Sequence, residues 1–275
     1  MTLRIFPDVE QRSEAWFAQR RGIVTASIVG NLITTRKLSA IDYDCPKCAA
    51  VAGDQCWNVK RTDTIKTLHT ERAAVAKSAN SPTIIEPASN DTSRWVSTLL
   101  ASERITGKTE DRLITSDMFR GINDEPFARD HYRQHCTDEP VTEVGFMVRD
   151  IAQGVRLGYS PDGLVGDRGL IEIKSRAPKT QVATVVSDTV PIENMPQLQA
   201  GLLVSGRDWI DYCSFAGGMA MWVIRVYPEK RWQSAIIEAV RRCEDNIFET
   251  RRIYDEKTHH LPLAPETAFD QEIVS

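Results

Sequence analysis

Asp162, Glu172 and Lys174 fall within one short stretch, residues 160–176, reading SPDGLVGDRGLIEIKSR. Glycine and apolar residues frame the three charges, a mixture that neither a solvated loop nor a buried strand explains. Leu170-Ile171-Glu172-Ile173-Lys174 alternates apolar and charged residues, the period of a half-buried strand. Glu172 and Lys174 then share one face, with Ile171 and Ile173 on the other. Gly163-Leu164-Val165 reads as a second short strand, and Gly166-Asp167-Arg168-Gly169 has the composition of a tight turn. A return through that turn brings Asp162 near Glu172. Two converging carboxylates repel and are costly to bury unless a cation joins them. A hard divalent cation with oxygen ligands, such as magnesium, meets that need. A lysine beside such a cation is placed to position or help deprotonate a water. The set fits metal-assisted phosphodiester hydrolysis. The same three residues also fit an exposed hairpin with a cross-strand ion pair.

The elements that must position this patch are readable along the chain. Residues 13–21 have the spacing of an amphipathic helix carrying Trp16 and Phe17, ended by Gly22, and 25–33 reads as a second short helix. Asn90-Asp91-Thr92-Ser93 is a helix start leading into Trp95, Val96, Leu99, Leu100 and Ile105, closed by Gly107. A helix over about 123–135 carries Glu125, Phe127, Ala128 and Tyr132. Strands are expected near 141–149, 155–159, 163–165 and 170–174, helices over 178–187 and 191–205, and strands over 209–216 and 220–227. A long helix over 229–255 and an extended tail beyond His259 close the chain. The expected fold class is mixed α/β, a central mixed sheet flanked by helices.

A second cluster lies upstream. Cys45-Pro46-Lys47-Cys48 is followed by Cys56 and His69. Cys-x2-Cys brings two sulfurs to one ion, and a later Cys and His complete a tetrahedral zinc site. The Cys56-to-His69 spacing departs from the usual finger pattern. The segment also fits reduced cysteines in a surface loop. It resembles the small Cys-Cys-Cys-His modules of actinobacterial and phage proteins, with Gly53 and Arg72 at matching positions. Lys47, Lys60, Arg61, Lys66, Arg72 and Lys77 make it locally basic, which fits DNA contact or simply a solvated surface. Cys136, Cys213 and Cys243 are isolated and read as packed residues. His131, His135, His259 and His260 show no ligand pattern.

At 275 residues the chain can bury one substantial core, or a core plus a small accessory module. Its composition is that of an ordinary globular protein, with no stretch of membrane-spanning apolar length and no signal-peptide core at the N-terminus. A cytoplasmic protein is expected, so disulfides are not. The net charge of −4 neither supports nor excludes nucleic acid, because a basic channel can sit inside an acidic protein.

The spelling of the core motif, Ser-Pro-Asp-Gly followed by Glu-Ile-Lys, resembles the PD-(D/E)XK nuclease signature. Three further segments resemble the lambda exonuclease or YqaJ-like viral recombinase branch. These are RSEAWFAQRRGIVTAS over 12–27, GINDEPFAR over 121–129 and PQLQAGLLVSG over 196–206. All four occur in family order. The resemblance implies a restriction-endonuclease-like core over 1–275, with the cysteine segment, 40–79, as an inserted zinc-binding module. It implies Asp162, Glu172 and the Ile173 carbonyl as ligands of Mg2+ (or Mn2+), with Lys174 orienting the attacking water. Glu125 supports a second metal or its waters, and Gln197 is the active-site glutamine with Gln199 as a further contact. Arg20, Ser27 and Ser160 match the pocket for a 5′-terminal phosphate, an apt donor set for a phosphate dianion. Arg21 is expected on the solvent face, and Asp150 as a weaker match to an acidic position upstream. The implied activity is 5′-to-3′ digestion of linear double-stranded DNA, leaving 3′ overhangs for a single-strand annealing protein. A homotrimeric ring and a phage- or prophage-encoded protein acting in a bacterial host are implied as well. The chain departs from the pattern in its cysteine segment and at Pro196, which suits the first turn of the glutamine helix. Two rival readings are a RecB-like nuclease with an iron–sulfur cluster and a non-catalytic zinc-finger DNA-binding protein. The first usually places three cysteines downstream of the core, whereas three cluster upstream here.

Overall fold

The computed structural model describes residues 2–79, 83–110 and 115–265. In chain order the elements are β1 (Leu3–Phe6), α1 (Glu14–Arg20), β2 (Val24–Thr25), α2 (Ala26–Val29), β3 (Ile33–Lys37), α3 (Thr70–Ser78), β4 (Thr83–Pro87), α4 (Asp91–Thr106) and α5 (Ser116–His135). The second half holds β5 (Val141–Thr142), β6 (Phe146–Ala152), β7 (Val155–Tyr159), β8 (Gly163–Val165), β9 (Gly169–Ser175), α6 (Pro178–Ser187), α7 (Met195–Ser205), β10 (Trp209–Phe215), β11 (Trp222–Val226) and α8 (Lys230–Thr258).

The mixed α/β class holds, with the strands divided among three ladders rather than gathered in one central sheet. Four strands run in the order β1-β6-β7-β2, five in the order β11-β10-β9-β8-β5, and β3 pairs with β4 alone. The five-stranded sheet is mixed, since β9 and β10 are parallel while its other pairs are antiparallel. A parallel pair needs a crossover, and α6 and α7 supply it.

The short local signals explain most boundaries. Ser13 caps α1, its hydroxyl accepting from the Trp16 N–H, and Asn90 caps α4 through the Ser93 N–H. The Asn90 cap is reciprocal, since the Ser93 hydroxyl accepts from the Asn90 N–H. The expected second helix is shorter than its pattern, because α2 ends at Val29, passes through a 3-10 turn over Gly30–Leu32, and Ile33 already belongs to β3. α5 begins earlier than expected, at Ser116, where Thr115 caps the Met118 N–H. Pro196 does occupy the first turn of α7. The part of the expected extended tail from 266 onward lies outside the described residues.

One large core forms where α7 packs across β6, β7 and β10 while α8 lies against α4, α7 and β4. Leu198 and Leu202 of α7 are fully buried in it, with Ile236, Val240 and Ile247 of α8. Truncating either leucine to alanine is expected to cost about 2–5 kcal/mol. Gly201 lies on the same helix because a Cβ there would meet the Tyr159 ring at 2.8 Å. That close approach fixes Tyr159 at the end of β7, next to the residues considered below.

Candidate active site and metal centre

The β8–β9 hairpin forms as its sequence dictates. Gly163 pairs with Ile171 and Val165 with Gly169, so Asp162, one residue before β8, stands beside Glu172 and Ile173. Asp162 Oδ2 accepts the Ile173 N–H at 2.6 Å. Glu172 is 2% exposed, and three side-chain donors reach its carboxylate. Its Oε1 accepts from Lys174 Nζ at 2.8 Å and from Gln197 Nε2, and its Oε2 accepts from the Tyr159 hydroxyl at 3.2 Å. Lys174 also donates to Gln197 Oε1 at 2.8 Å. The result is a closed triangle of acid, ammonium and amide, not an exposed hairpin.

α5 adds a third carboxylate. Glu125 is held by Arg12 Nη2 at 2.8 Å and by Arg129, four residues along the same helix. Arg129 is buried and also donates to the Asp162 carbonyl at 2.6 Å and pairs with Glu143 at 2.9 Å. One guanidinium thus ties α5 to the loop that carries Asp162.

Electrostatics follow from this crowding. Burial pushes the Asp162 carboxyl well above the usual carboxylate range, and the charges of Glu172 and Glu125 push it further. Lys174 and the Ile173 N–H pull it back only in part. Burial works to lower the Lys174 ammonium, but Glu172 and Asp162 outweigh it and leave it above the ordinary lysine range. Burial, then Glu172 and Asp162, likewise raise the Tyr159 phenol. Carboxylates crowded so closely that one is pushed well above its usual range are a donor set that a hard divalent cation satisfies.

The same cleft, about 430 Å³, is lined by Arg12, Trp16, Arg20, Ser27, Glu125, Ser160, Asp162, Glu172, Lys174 and Gln197 among others. In the same lining Arg20 Nη2 lies 3.3 Å from Ser27 Oγ and 3.4 Å from Thr25 Oγ1, whose hydroxyls are 3.0 Å apart. The Trp16 ring lies under the Arg20 guanidinium at 3.8 Å, and its indole N–H donates to Ser160 Oγ at 2.9 Å. Trp16 therefore joins the arginine and the serine, one through its ring face and the other through its edge N–H.

Most of the expected site residues meet in this cleft, but two do not. Gln199 is fully buried, donating to the Tyr227 carbonyl and accepting from the Glu229 N–H, both at 2.8 Å. A helical step of two turns it away from Gln197, so it braces the β11–α8 connection rather than facing the cleft. Asp150 lies on β6, paired with Arg4 at 3.3 Å on the surface. Arg21 reaches Thr109 Oγ1 at 3.4 Å, outside the cleft lining. Trp16, Arg12, Arg129 and Tyr159 are the contributors that sequence spacing did not single out. The i, i+4 steps from Trp16 to Arg20 and from Glu125 to Arg129 were the available signals.

The upstream cysteines also converge. One ligand atom each from Cys45, Cys48, Cys56 and His69 lies within 4.8 Å of the others. Cys45 Sγ is 3.4 Å from His69 Nδ1. Backbone N–H groups of Trp57 and His69 donate to Cys48 and Cys56 Sγ at 3.4 and 3.5 Å. Burial pushes the Cys48 thiol up, but the N–H groups of Ala50 and Trp57, with Cys45 and His69, outweigh it and bring it down to about 6. Burial pushes the Cys45 thiol up. Arg72 is 0% exposed and donates to the carbonyls of Tyr43 and Asp54 at 2.6 Å, Val51 at 2.8 Å and Ile41 at 3.1 Å, and to Cys56 Sγ at 3.5 Å. Among the described residues none of its partners is a carboxylate. A buried cation needs a counter-charge, and three thiolates around a dication carry a net negative one. Cys213 and Cys243 are buried as expected, whereas Cys136, at the C-cap of α5, is exposed.

Comparison with known proteins adds a family and a fold. Residues 15–208 match the YqaJ-like viral recombinase domain. No curated protein sequence matches the chain. An alkaline exonuclease from Laribacter hongkongensis is similar at 25% identity and a TM-score of 0.63, over 91% of this chain and 100% of that one. The same exonuclease crystallised in complex with dAMP aligns at 25% identity and a TM-score of 0.62 over the same shares. A phage-related exonuclease from Haemophilus somnus 129PT is more distant, at 11% identity and a TM-score of 0.43 over 62% of this chain and 85% of that one.

Proposed function

The chain belongs to the YqaJ-like viral recombinase domain family, and on that premise we propose that it is a metal-dependent exonuclease acting on linear double-stranded DNA. The observation that carries this reading is the cleft itself. Three carboxylates, Lys174 and Gln197 line it together with an arginine and two serine hydroxyls. A reacting phosphodiester and a terminal phosphate of the same strand suit those two groups.

Asp162, Glu172 and the Ile173 carbonyl would hold Mg2+ or Mn2+, with Glu125 acting on its waters. When bound, the cation activates water and stabilises charge developing on the phosphate. The chain's own groups do the rest. Lys174, fixed by Glu172 and Gln197, orients the attacking water by donating a hydrogen bond. Tyr159 holds the second oxygen of Glu172, and Arg129 holds the backbone of Asp162. Arg20, Ser27 and Ser160 receive the 5′-terminal phosphate, so that binding energy becomes positioning of the first phosphodiester. This polarity makes the direction 5′ to 3′ and the product a 3′ overhang, the substrate of a single-strand annealing protein in phage-type recombination. A homotrimeric ring in the cytoplasm of a bacterial host completes the reading. No helix among the described residues is long and apolar enough to cross a membrane.

The Cys45, Cys48, Cys56 and His69 cluster would hold one Zn2+ in a module spanning 40–79 set into a single nuclease domain. Buried Arg72 as counter-charge supports a thiolate-bound dication there. Digestion of linear duplex with magnesium, comparing 5′-phosphate with 5′-hydroxyl ends, tests the activity. Elemental analysis finding iron, or no metal, in the cysteine cluster would contradict the zinc assignment.

A further inference from the structure

The segment from Cys56 to Lys66 forms a small hairpin used by the metal centre only at its base. The Ile65 N–H donates to the Cys56 carbonyl at 2.8 Å, and Trp57 bridges to Thr64. Nearer the apex, Asn58 N–H donates to the Asp63 carbonyl at 2.8 Å and Arg61 N–H to the Asn58 carbonyl at 3.0 Å. The Asn58 side chain closes on Thr62 through both its amide and its carbonyl. The turn is therefore rigid, anchored beside a metal ligand.

What this turn presents is unusual for a surface loop. Val59, at the apex, is 97% exposed, and Lys60, Arg61 and Lys66 are exposed around it. None of these three cations has an ion-pair partner among the described residues, whereas Lys47 of the same module pairs with Glu71 at 3.0 Å. The only carboxylate between Trp57 and Lys66 is Asp63, which accepts from the Thr62 hydroxyl at 3.2 Å. Arg61 holds a φ of 55°, in the left-handed region where glycine is at ease. An arginine there costs stability that glycine would not, which points from an observed strain to a use.

We propose that this hairpin tip is a second DNA contact, taking the phosphate backbone of the duplex away from the catalytic cleft. The inference rests on the nuclease reading, which supplies the polyanion. A pre-ordered turn loses little backbone freedom on binding, and each phosphate its cations neutralise releases counterions. In a chain of net charge −4, such a patch supplies local attraction that the net charge does not.

The test is a binding titration of the full chain with a linear blunt duplex several helical turns long. It is made in the Asp162→Asn background, so that DNA is not consumed. Lys60→Ser with Arg61→Gly removes two cations and the backbone strain together. The double variant is expected to melt no lower than its parent and keep its zinc. It should bind duplex about tenfold more weakly at low salt, and its plot of log affinity against log salt should be shallower by about two. With an active Asp162, its turnover at saturating DNA should match wild type. An unchanged affinity and salt slope would overturn the contact and leave the tip to an acidic protein partner. If wild type cuts duplex but the tip variant binds normally, only this proposal fails. If wild type neither binds nor cuts duplex, the nuclease reading fails and takes this one with it.

Discussion

Glu172 and Lys174 stand two residues apart on β9 and touch directly, Nζ to Oε1 at 2.8 Å, with Gln197 of α7 bonded to both. A strand residue and its next same-face neighbour are thus locked by a helix that arrives later in the chain. The lysine is held in one rotamer by two acceptors rather than left in solvent, which is what orienting a water requires.

Removing any corner of this set should stop hydrolysis while leaving the fold intact. Asp162→Asn, Glu172→Gln and Lys174→Ala are each expected to lower the rate by about a hundredfold or more, with duplex binding largely kept. Single-turnover digestion beside an anisotropy titration separates the two effects. Near-normal turnover in purified Asp162→Asn would sink the assignment.

The raised Asp162 carboxyl has a consequence for stability. Its folded-state value lies above the unfolded one, so between the two the folded protein binds more protons. Without divalent cation, the contribution of Asp162 therefore weakens as pH rises above the ordinary range near 3.8. Asp162→Asn, which can still accept from the Ile173 N–H, should melt higher than wild type at neutral pH when magnesium is withheld. Magnesium should raise the melting temperature of wild type more than that of the variant. The opposite order in thermal melts would show that the carboxylate is not held against its charge.

The two glutamines of α7 should separate cleanly. Gln197→Ala is expected to lower turnover with little change in melting. Gln199→Ala empties a fully buried site and strips the partners from the Tyr227 carbonyl and the Glu229 N–H, and should cost about 1–3 kcal/mol, with turnover per folded molecule unchanged. Chemical denaturation and active-site-normalised rates, read together, check both.

Arg72→Met should strike the cysteine cluster without touching the cleft. It strips the Arg72 donor from four carbonyls, of which Ile41 and Val51 keep a backbone N–H, and leaves the thiolates without their counter-charge, so a loss of about 3 kcal/mol or more is expected, with faster zinc release to a chelator. Zinc retention equal to wild type would argue against the charge-balance account.

The β8–β9 hairpin was legible because period-2 alternation and a glycine-bounded turn agree, and the resemblance then named its partners. The β3–β4 ribbon was not legible. Ile33-Thr34-Thr35-Arg36-Lys37 continues an apparent helical pattern, and its partner strand, pairing Ile33 with Pro87, lies beyond the whole cysteine segment. α3 was missed because TERAAVAKS carries little apolar periodicity; its fixed point is Arg72, whose role depends on carbonyls brought in by the folded loop. Tyr159 reads as one more core residue of an apolar strand. Only the packing of Gly201 against its ring shows why its hydroxyl meets Glu172. Gln199 shows the reverse error, a polar residue next to the motif whose burial makes it structural.

The account's central claim is that one cleft reads the 5′ end and cuts beside it. The direct measurement is the initial rate of digestion of linear duplex with magnesium, for 5′-phosphate and 5′-hydroxyl ends, in wild type and Arg20→Ala. Wild type should prefer the phosphorylated end, with a preference that weakens as salt is added. Arg20→Ala should lose that preference and slow, while still gaining thermal stability from magnesium. Equal rates on both ends in wild type, or full preference in Arg20→Ala, would contradict the assignment of Arg20, Ser27 and Ser160 to the terminal phosphate.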